Sequence, residues 1–388
     1  MSARTYLLAA GAFTVGTSGY ILSGLLPAVS RELDVSLSTA GQLLTVFALS
    51  YAVAAPVLAA LTGRWNRRKL LVVALVVSAL GNVLSALAPN YPLLMAARVV
   101  SALGAAAYTP AATLVATALT TPEHRGRAVA TVFGGLTFSL IIGVPAGSLL
   151  GGSIGYQGVF ALVGIASLVA AAIVRVGVPE VAAPPVVSVR ERFAVAADRR
   201  VVPVLGMTVL ACLAAFSVFT YISPLLAATA GVHGTVISLL LFAYGVGGAV
   251  GNSLGGRLTD RFGSQRLLYV IFSVFTLVLI TLPLTTTTTV TAGIALFVWG
   301  LFTWSVNPPI QNWLIELAPT NSGLLLSLNA SAIYLGVGLS GVFGGLVIDN
   351  VGITLLPPIA GVLALVAFGL LVHARRVTRT PEPVLLAA

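Results

Sequence analysis

The sequence is poor in charge: Asp, Glu, Lys and Arg make up 8% of its 388 residues, against about 25% in an ordinary soluble domain. That shortage excludes a fold bounded mostly by water. Cysteine is nearly absent, and the single thiol, Cys212, allows no intrachain disulfide and has too few companions to hold a metal; we read it as a packing residue. All ten acidic residues fall between or at the ends of the apolar runs described below, and His124, His233 and His373 lie near run ends. With no paired His, Asp or Glu inside a run, an intramembrane enzyme would lack its metal or acid–base cluster, and neither a cofactor nor a metal is expected. A phosphate loop ending in glycine-lysine-serine or glycine-lysine-threonine is also missing, which argues against ATP hydrolysis.

Apolar length is abundant. Twelve stretches run over 5–28, 40–62, 70–88, 92–119, 127–150, 158–178, 202–223, 235–256, 267–284, 290–315, 323–348 and 353–373, each near the roughly 20 residues that cross about 30 Å of hydrocarbon. Arg4 ahead of the first run resembles the start of a secretory signal. The run exceeds a signal's apolar region, however, and eleven more follow, so it is read as a retained helix. The only long polar stretch, 179–200, carries Pro184 and Pro185 with mixed charges and suits a linker. The expected organisation is an all-α membrane protein of twelve transmembrane helices: a six-helix bundle over 1–178, a cytoplasmic linker over 179–200, a second six-helix bundle over 201–373 and a cytoplasmic tail over 374–388.

Basic residues set the orientation. Of the 20 Lys and Arg, eighteen fall in one alternating set of connections and ends, Arg31 lies in the other set, and Arg98 lies inside a run. Basic loops favour the cytoplasmic side, so both termini are expected there, in a multi-pass protein of a bacterial inner (cytoplasmic) membrane. The formal charge of +10 is spread over loops that meet anionic membrane lipids and forms no basic soluble domain that would bind nucleic acid.

The two halves repeat. A shift of 197 residues carries Pro27 onto Pro224, Phe47 onto Tyr244, Arg64 onto Arg261, Pro122 onto Pro319 and Gly126 onto Gly323 without a gap. Halves of like orientation are related by an axis along the membrane normal, and their binding site lies between them near the midplane.

Between runs 8 and 9, residues 256–266 read G-R-L-T-D-R-F-G-S-Q-R. Gly256, Asp260, Arg261 and Gly263 resemble the signature loop of the major facilitator superfamily. A carboxylate such as Asp260 can dock on the positive end of a neighbouring helix, here expected near 126–129, and act as a conformational latch; the competing reading is that these charges only set topology. The equivalent stretch of the first half keeps Arg64 but has Gly63 where Asp260 sits and Asn66 where Gly263 sits. Run 4 holds Arg98 followed by Ser101, Gly104 and Ala105, which resembles the superfamily's arginine motif and implies a part in proton coupling. A cation in hydrocarbon costs at least ~2.5–3.5 kcal/mol, so Arg98 either faces the interior or snorkels to the periplasmic surface. Run 5 carries Gly134, Gly135, Gly143, Pro145, Gly147, Gly151 and Gly152, a density that permits close packing and a bend. Its Gly143, Pro145 and Gly147 resemble the antiporter motif of exporters, with Val144 in the place where that motif has a glycine before the proline.

Residues 16–20 (G-T-S-G-Y), 24–27 (G-L-L-P) and 38–41 (S-T-A-G) resemble the sugar-efflux and chloramphenicol-resistance branch of the twelve-helix drug:proton antiporters. The resemblance implies a monomeric secondary transporter that exports a small drug-like or sugar-like molecule in exchange for protons. Many relatives place a glutamate where this chain has Gly19, leaving Arg98, or Glu32 and Asp34 at the periplasmic mouth, as coupling candidates; facilitated diffusion without protons is the competing reading. A cavity without acids disfavours strongly cationic substrates and suits a neutral or amphipathic one. Its candidate lining is Tyr20, Tyr108, Phe219, Tyr221, Tyr244, Trp299, Trp304, Asn307, Gln311, Asn329 and Tyr334, with packing or interface anchoring as the alternative role of each aromatic. Pro308 and Pro309 should break run 10.

Overall fold

The computed structural model describes residues 3–121, 125–181, 198–318 and 322–379, and among them it contains no strand. Pro122, His124, Pro184, Pro185, Pro319 and the tail beyond 379 therefore lie outside the described residues, as does most of the expected linker.

The first bundle comprises α1 (Ala3–Tyr20), α2 (Leu22–Glu32), α3 (Leu37–Leu61), α4 (Arg67–Leu87), α5 (Tyr91–Ala118), α6 (Arg125–Phe138), a π-helical turn (Ser139–Gly143) and α7 (Val144–Gly177). The second comprises α8 (Val201–Thr220), α9 (Ile222–Ala230), α10 (Thr235–Phe262), α11 (Ser264–Thr285), α12 (Thr289–Ser305), α13 (Asn307–Leu317), α14 (Ser322–Val351) and α15 (Leu356–Arg379). By length and apolar composition ten helical stretches can span a membrane, and the pair α1–α2, bent by 42°, makes an eleventh. One of the ten, Ala128–Gly177, is 50 residues long, which at 1.5 Å per residue is about 75 Å, far beyond a bilayer core. It breaks at Gly155, whose φ of 67° and ψ of 172° suit glycine alone; counted as two, the spans number twelve.

Lipid is the solvent this surface fits. Val73, Val76, Leu80, Leu84 and Leu87 recur along one face of α4, all exposed, and α11 shows Val270, Leu277, Ile280 and Leu284 in the same way. In water such stripes would drive aggregation, whereas hydrocarbon wets them and the helices satisfy their own backbone.

Three joints connect the bundles: α3 against α14, α10 against the π-turn and α7, and α2 against α9. A Cβ built on Gly341 of α14 would lie 2.6 Å from the Gly41 carbonyl oxygen and 2.4 Å from Thr45 Oγ1, so the bundles touch there backbone to backbone. Ser223 donates to the Ser23 carbonyl across the joint at 2.9 Å. These contacts run from the Glu32 end of the bundles to the middle of α3, where Tyr51 stacks on Tyr334.

Two expectations need adjusting. The repeat offset is 197 where Asn66 and Gly263 precede α4 and α11, but 200 at the breaks at Ile21 and Tyr221 and between Ser23 and Ser223. The first spans of the two halves have drifted by three residues, which a gapless shift concealed. The latch motif also does not form a loop: α10 continues through Phe262, and only Gly263 separates it from α11.

Candidate functional site

Arg98 lies wholly inside the first bundle, with no exposed surface. Small residues make room for it, since Gly81 packs on the Ser101 backbone and Gly104 on that of Ser78, drawing α4 and α5 together. Its Nη2 donates to the Ser18 carbonyl at 2.8 Å. The guanidinium sits over Phe47 at 4.5 Å and Phe160 at 5.3 Å, a cation–π cage in place of a carboxylate. Ser18 in turn donates to Asn82 Oδ1 at 2.9 Å, and Asn82 to the Ser78 carbonyl at 2.8 Å. Arg98 Nε and Nη1 have no partner among the described residues. Snorkelling is thereby corrected, because the side chain points inward between α1, α3 and α7 rather than out to a headgroup. A Cβ on Gly19 would meet the Phe47 ring at 3.2 Å, so the missing side chain at 19 leaves space for the ring that covers Arg98. Glu32 and Asp34 are exposed, Asp34 in a left-handed backbone (φ 50°), and neither forms an ion pair with Arg98. Of the seven described acidic residues none is buried.

Aromatic residues from both bundles meet near mid-height. Tyr51 stacks on Tyr334 at 3.6 Å and 16°, and the Tyr51 and Tyr20 hydroxyls lie beside that of Tyr334. Tyr20 stacks on Phe216 at 5.7 Å, and the series continues through Phe219 (5.8 Å), Tyr244 (4.9 Å) and Trp299 (4.7 Å). Beside it is a polar group. Thr208 donates to Asn329 Oδ1 at 2.9 Å, while Gln311 and Asn329 both donate to Asn307 Oδ1 at 3.1 and 3.4 Å. Asn307 starts α13 with Pro308 and Pro309 in its first turn; Val306, between α12 and α13, keeps helical dihedrals, so the two form one candidate span, Thr289–Leu317, that the prolines interrupt without breaking.

Tyr51, Phe47 and Phe216 were missed by sequence reasoning, as each is one more aromatic in an apolar run. Two sequence-derived lining residues sit elsewhere. Tyr108 is buried within the first bundle and donates to the Leu8 carbonyl at 2.9 Å, filling the space beside Gly11. Tyr221 belongs to the joint rather than to a chamber: its hydroxyl donates to the Gly341 carbonyl at 2.7 Å and lies 3.4 Å from that of Ser38. Trp304 is half-buried and rests on Gly248.

Three glycines of run 5 face α1 and its end at Ile21. Cβ atoms on Gly135, Gly143 and Gly147 would meet the Ala9 carbonyl at 2.1 Å, Thr17 Oγ1 at 2.3 Å and Ile21 Cδ1 at 2.3 Å. Pro145 cannot donate back to Ile141, and the chain widens there into the π-turn. That swollen turn is where the second bundle rests: a Cβ on Gly245 would lie 2.7 Å from the Leu140 carbonyl oxygen.

At the Arg67 end, Asp260, Arg261, Gly263 and Arg64 are exposed, and Asp260 makes no ion pair among the described residues. The side chains of 125–127, at the expected docking point, are outside the description. Gly256 faces open space, and Gly255 makes the close helix contact instead, against the Ser305 carbonyl. Gly263 takes φ 78° before α11, whereas in the first half Asn66 caps α4 by accepting from the Arg68 and Lys69 amides. Arg68 pairs with Glu180, and the Arg67 amide donates to the Val181 carbonyl at 2.9 Å.

Comparison with known proteins gives one consistent family. A model of the Major Facilitator Superfamily matches residues 8–323 and 204–387. The inner membrane transport protein YdhP of Escherichia coli K12 is 34% identical over 384 residues, covering 98% of this chain and 97% of that protein. A chloramphenicol efflux pump of Mycobacterium tuberculosis H37Rv is 30% identical over 375 residues, covering 94% and 91%, and a chloramphenicol resistance protein of Streptomyces lividans is 35% identical over 269 residues, covering 68% of each. Among solved structures, an inward-facing, occupied bacterial homologue of the human lysosomal transporter Spinster superposes with a TM-score of 0.78 at 17% identity, covering 98% of both chains.

Proposed function

The chain belongs to the major facilitator superfamily of membrane transporters, and from that premise we propose that it exports a small neutral or amphipathic compound from the cytoplasm in antiport with protons. The bundles rock about their joints, and both termini stay on the cytoplasmic side of the inner membrane. The observation that carries the substrate reading is the meeting of Tyr20, Tyr51 and Tyr334 between the bundles with no buried carboxylate among the described residues. Such a surface stacks on apolar molecules and offers hydroxyls, but it provides nothing to neutralise a cation. Likeness to chloramphenicol efflux pumps supports a neutral drug-like cargo.

Reconstitution into vesicles with a panel of neutral aryl compounds, with and without an imposed proton gradient, tests this. Gradient-driven accumulation of at least one neutral compound is expected; transport of cationic dyes alone would defeat the substrate reading. One observation favours uniport instead: Arg98 is sealed and no acid accompanies it. Substrate movement indifferent to the gradient would decide for uniport.

The basic residues make the Arg67 end the cytoplasmic one, and the bundles are joined from the opposite, Glu32 end. Asp260→Asn, which removes the charge that docks on a helix start, is expected to slow transport by about fivefold, the equivalent of roughly 1 kcal/mol. An unchanged rate at normal expression would rule the latch out.

A further inference from the structure

We propose that the deep end of the second bundle is a subsite for a neutral hydrogen-bond-accepting group of the transported compound, with Tyr244, Thr303 and Trp304 as its donors. The proposal rests on the export reading and narrows its substrate class. Tyr244 Oη, Trp299 Nε1, Thr303 Oγ1 and Trp304 Nε1 are all shielded from solvent, and none has a hydrogen-bond partner among the described residues. Buried polar atoms in folded proteins are nearly always paired, and a bilayer supplies no water in compensation. Four such atoms on two facing helices, α10 and α12, therefore point to a missing partner.

The chemistry of that partner follows from the donors. An indole N–H can only donate, and a hydroxyl always carries one hydrogen to give away. Thr303 and Trp304 lie beside the Tyr244 hydroxyl without meeting hydrogen-bond geometry; even with both of them donating to it, its own hydrogen and the Trp299 N–H would have no acceptor. No basic side chain belongs to the group, so nothing in it calls for an anion. A carbonyl, nitro or sulfonyl oxygen answers the deficit. The ring of Tyr244 is held between Phe219 at 4.9 Å and Trp299 at 4.7 Å, which fixes the hydroxyl and offers aromatic faces to a flat apolar body.

The contrast along the same wall is informative. Towards the Arg67 end, Thr208, Asn307, Gln311 and Asn329 satisfy one another, whereas the four unmet donors around Tyr244 are gathered beside its ring. Tyr244 and Trp299 are 1% and 0% exposed, whereas Thr303 and Trp304 are half-buried. The latter two form the cover, and Trp304 is the side chain that turns when the acceptor enters.

Calorimetric binding of two matched ligands, an aryl amide bearing a nitro group and the same amide without it, tests the subsite on the purified full-length protein. The unaltered chain is expected to bind the nitro compound more tightly. Tyr244→Phe combined with Thr303→Val should weaken that compound roughly tenfold, as the loss of one or two neutral hydrogen bonds would, and leave the nitro-free amide within about twofold. Phenylalanine keeps the ring stack, so an unchanged Tm separates lost donors from lost fold. Equal affinity of the two ligands for the unaltered chain, or equal weakening of both by the variant, overturns the subsite. Transport in vesicles is scored separately: selective binding with no gradient-driven movement of either compound or of any member of the neutral panel leaves the subsite standing and overturns the export reading.

Discussion

Arg98→Met is expected to abolish transport driven by a proton gradient while leaving the protein folded and at least as resistant to heat. The side chain has no exposed surface, one hydrogen bond to the Ser18 carbonyl, and two nitrogens without partners among the described residues. Each unpaired donor costs about 1–3 kcal/mol, and a charge in a membrane core costs ~2.5–3.5 kcal/mol or more. The cage of Phe47 and Phe160 returns about 0.5–2 kcal/mol, which does not close the gap. Methionine fills a comparable length with apolar atoms that pack well on those rings. Even a buried ion pair can often be replaced by apolar side chains at no cost or with a gain of about 1–4 kcal/mol, and Arg98 has no ion pair to lose among the described residues, so Tm should hold or rise by about 1–3 °C. A structural arginine and a coupling arginine then give opposite results. Rates under an imposed gradient should fall at least about tenfold, the equivalent of 1.4 kcal/mol, while gradient-free substrate exchange stays within about twofold. Full retention of gradient-driven transport, or a fall in Tm that accounts for its loss, would assign Arg98 to packing.

Gly341→Leu should arrest the transport cycle from the opposite side. At this position α14 meets α3 with a built Cβ 2.6 Å from the Gly41 carbonyl oxygen, an atom that no side-chain rotation can move aside. A leucine there forces the bundles apart at the Glu32 end and breaks the neighbouring bonds from Tyr221 and Ser223. Overpacking of about 1–3 kcal/mol shifts a two-state balance by about 5- to 150-fold. Spin labels on the exposed Arg31 and His233, one in each bundle, should report a longer distance in the variant, with transport reduced at least tenfold. An unaltered distance distribution would mean that α3 and α14 adapt locally.

Much of the architecture was legible because hydrocarbon imposes a length rule: apolar runs of sufficient length marked the spans, and Gly155 fell in the predicted gap between runs 5 and 6. Asn307 and Gln311 were legible as polar residues in an apolar run, but their bond to each other was not, because Pro308 and Pro309 suggested a break between them. Facing was the weak point. In a soluble helix the polar side shows which face is outside, but here lipid and protein interior are both apolar, so periodicity does not separate them. Tyr108 and Tyr221 therefore read like Tyr20, although one is tied to Leu8 and the other to a joint. Tyr51 was missed for the same reason, since its partner Tyr334 is a distant residue in another bundle. The depth of Arg98 could be read from the sequence, but its inward direction could not.

The widened turn at Ser139–Gly143 also sets a phase. Gly135, Ser139, Gly143, Gly147 and Gly151 recur at every fourth residue, and on an ideal helix such a stripe winds away by about 40° per step. The extra residue in the π-turn takes back part of that rotation, which keeps the stripe aimed at α1 and then, past its break at Ile21, at α2. The number of residues between Ser139 and Gly143 is thus as much a specification as their identity. Tightening that turn to an ordinary α-helix with every residue kept would swing the rest of the helix by about 100°, like a gear slipped by one tooth, and point Gly147 and Gly151 at empty lipid.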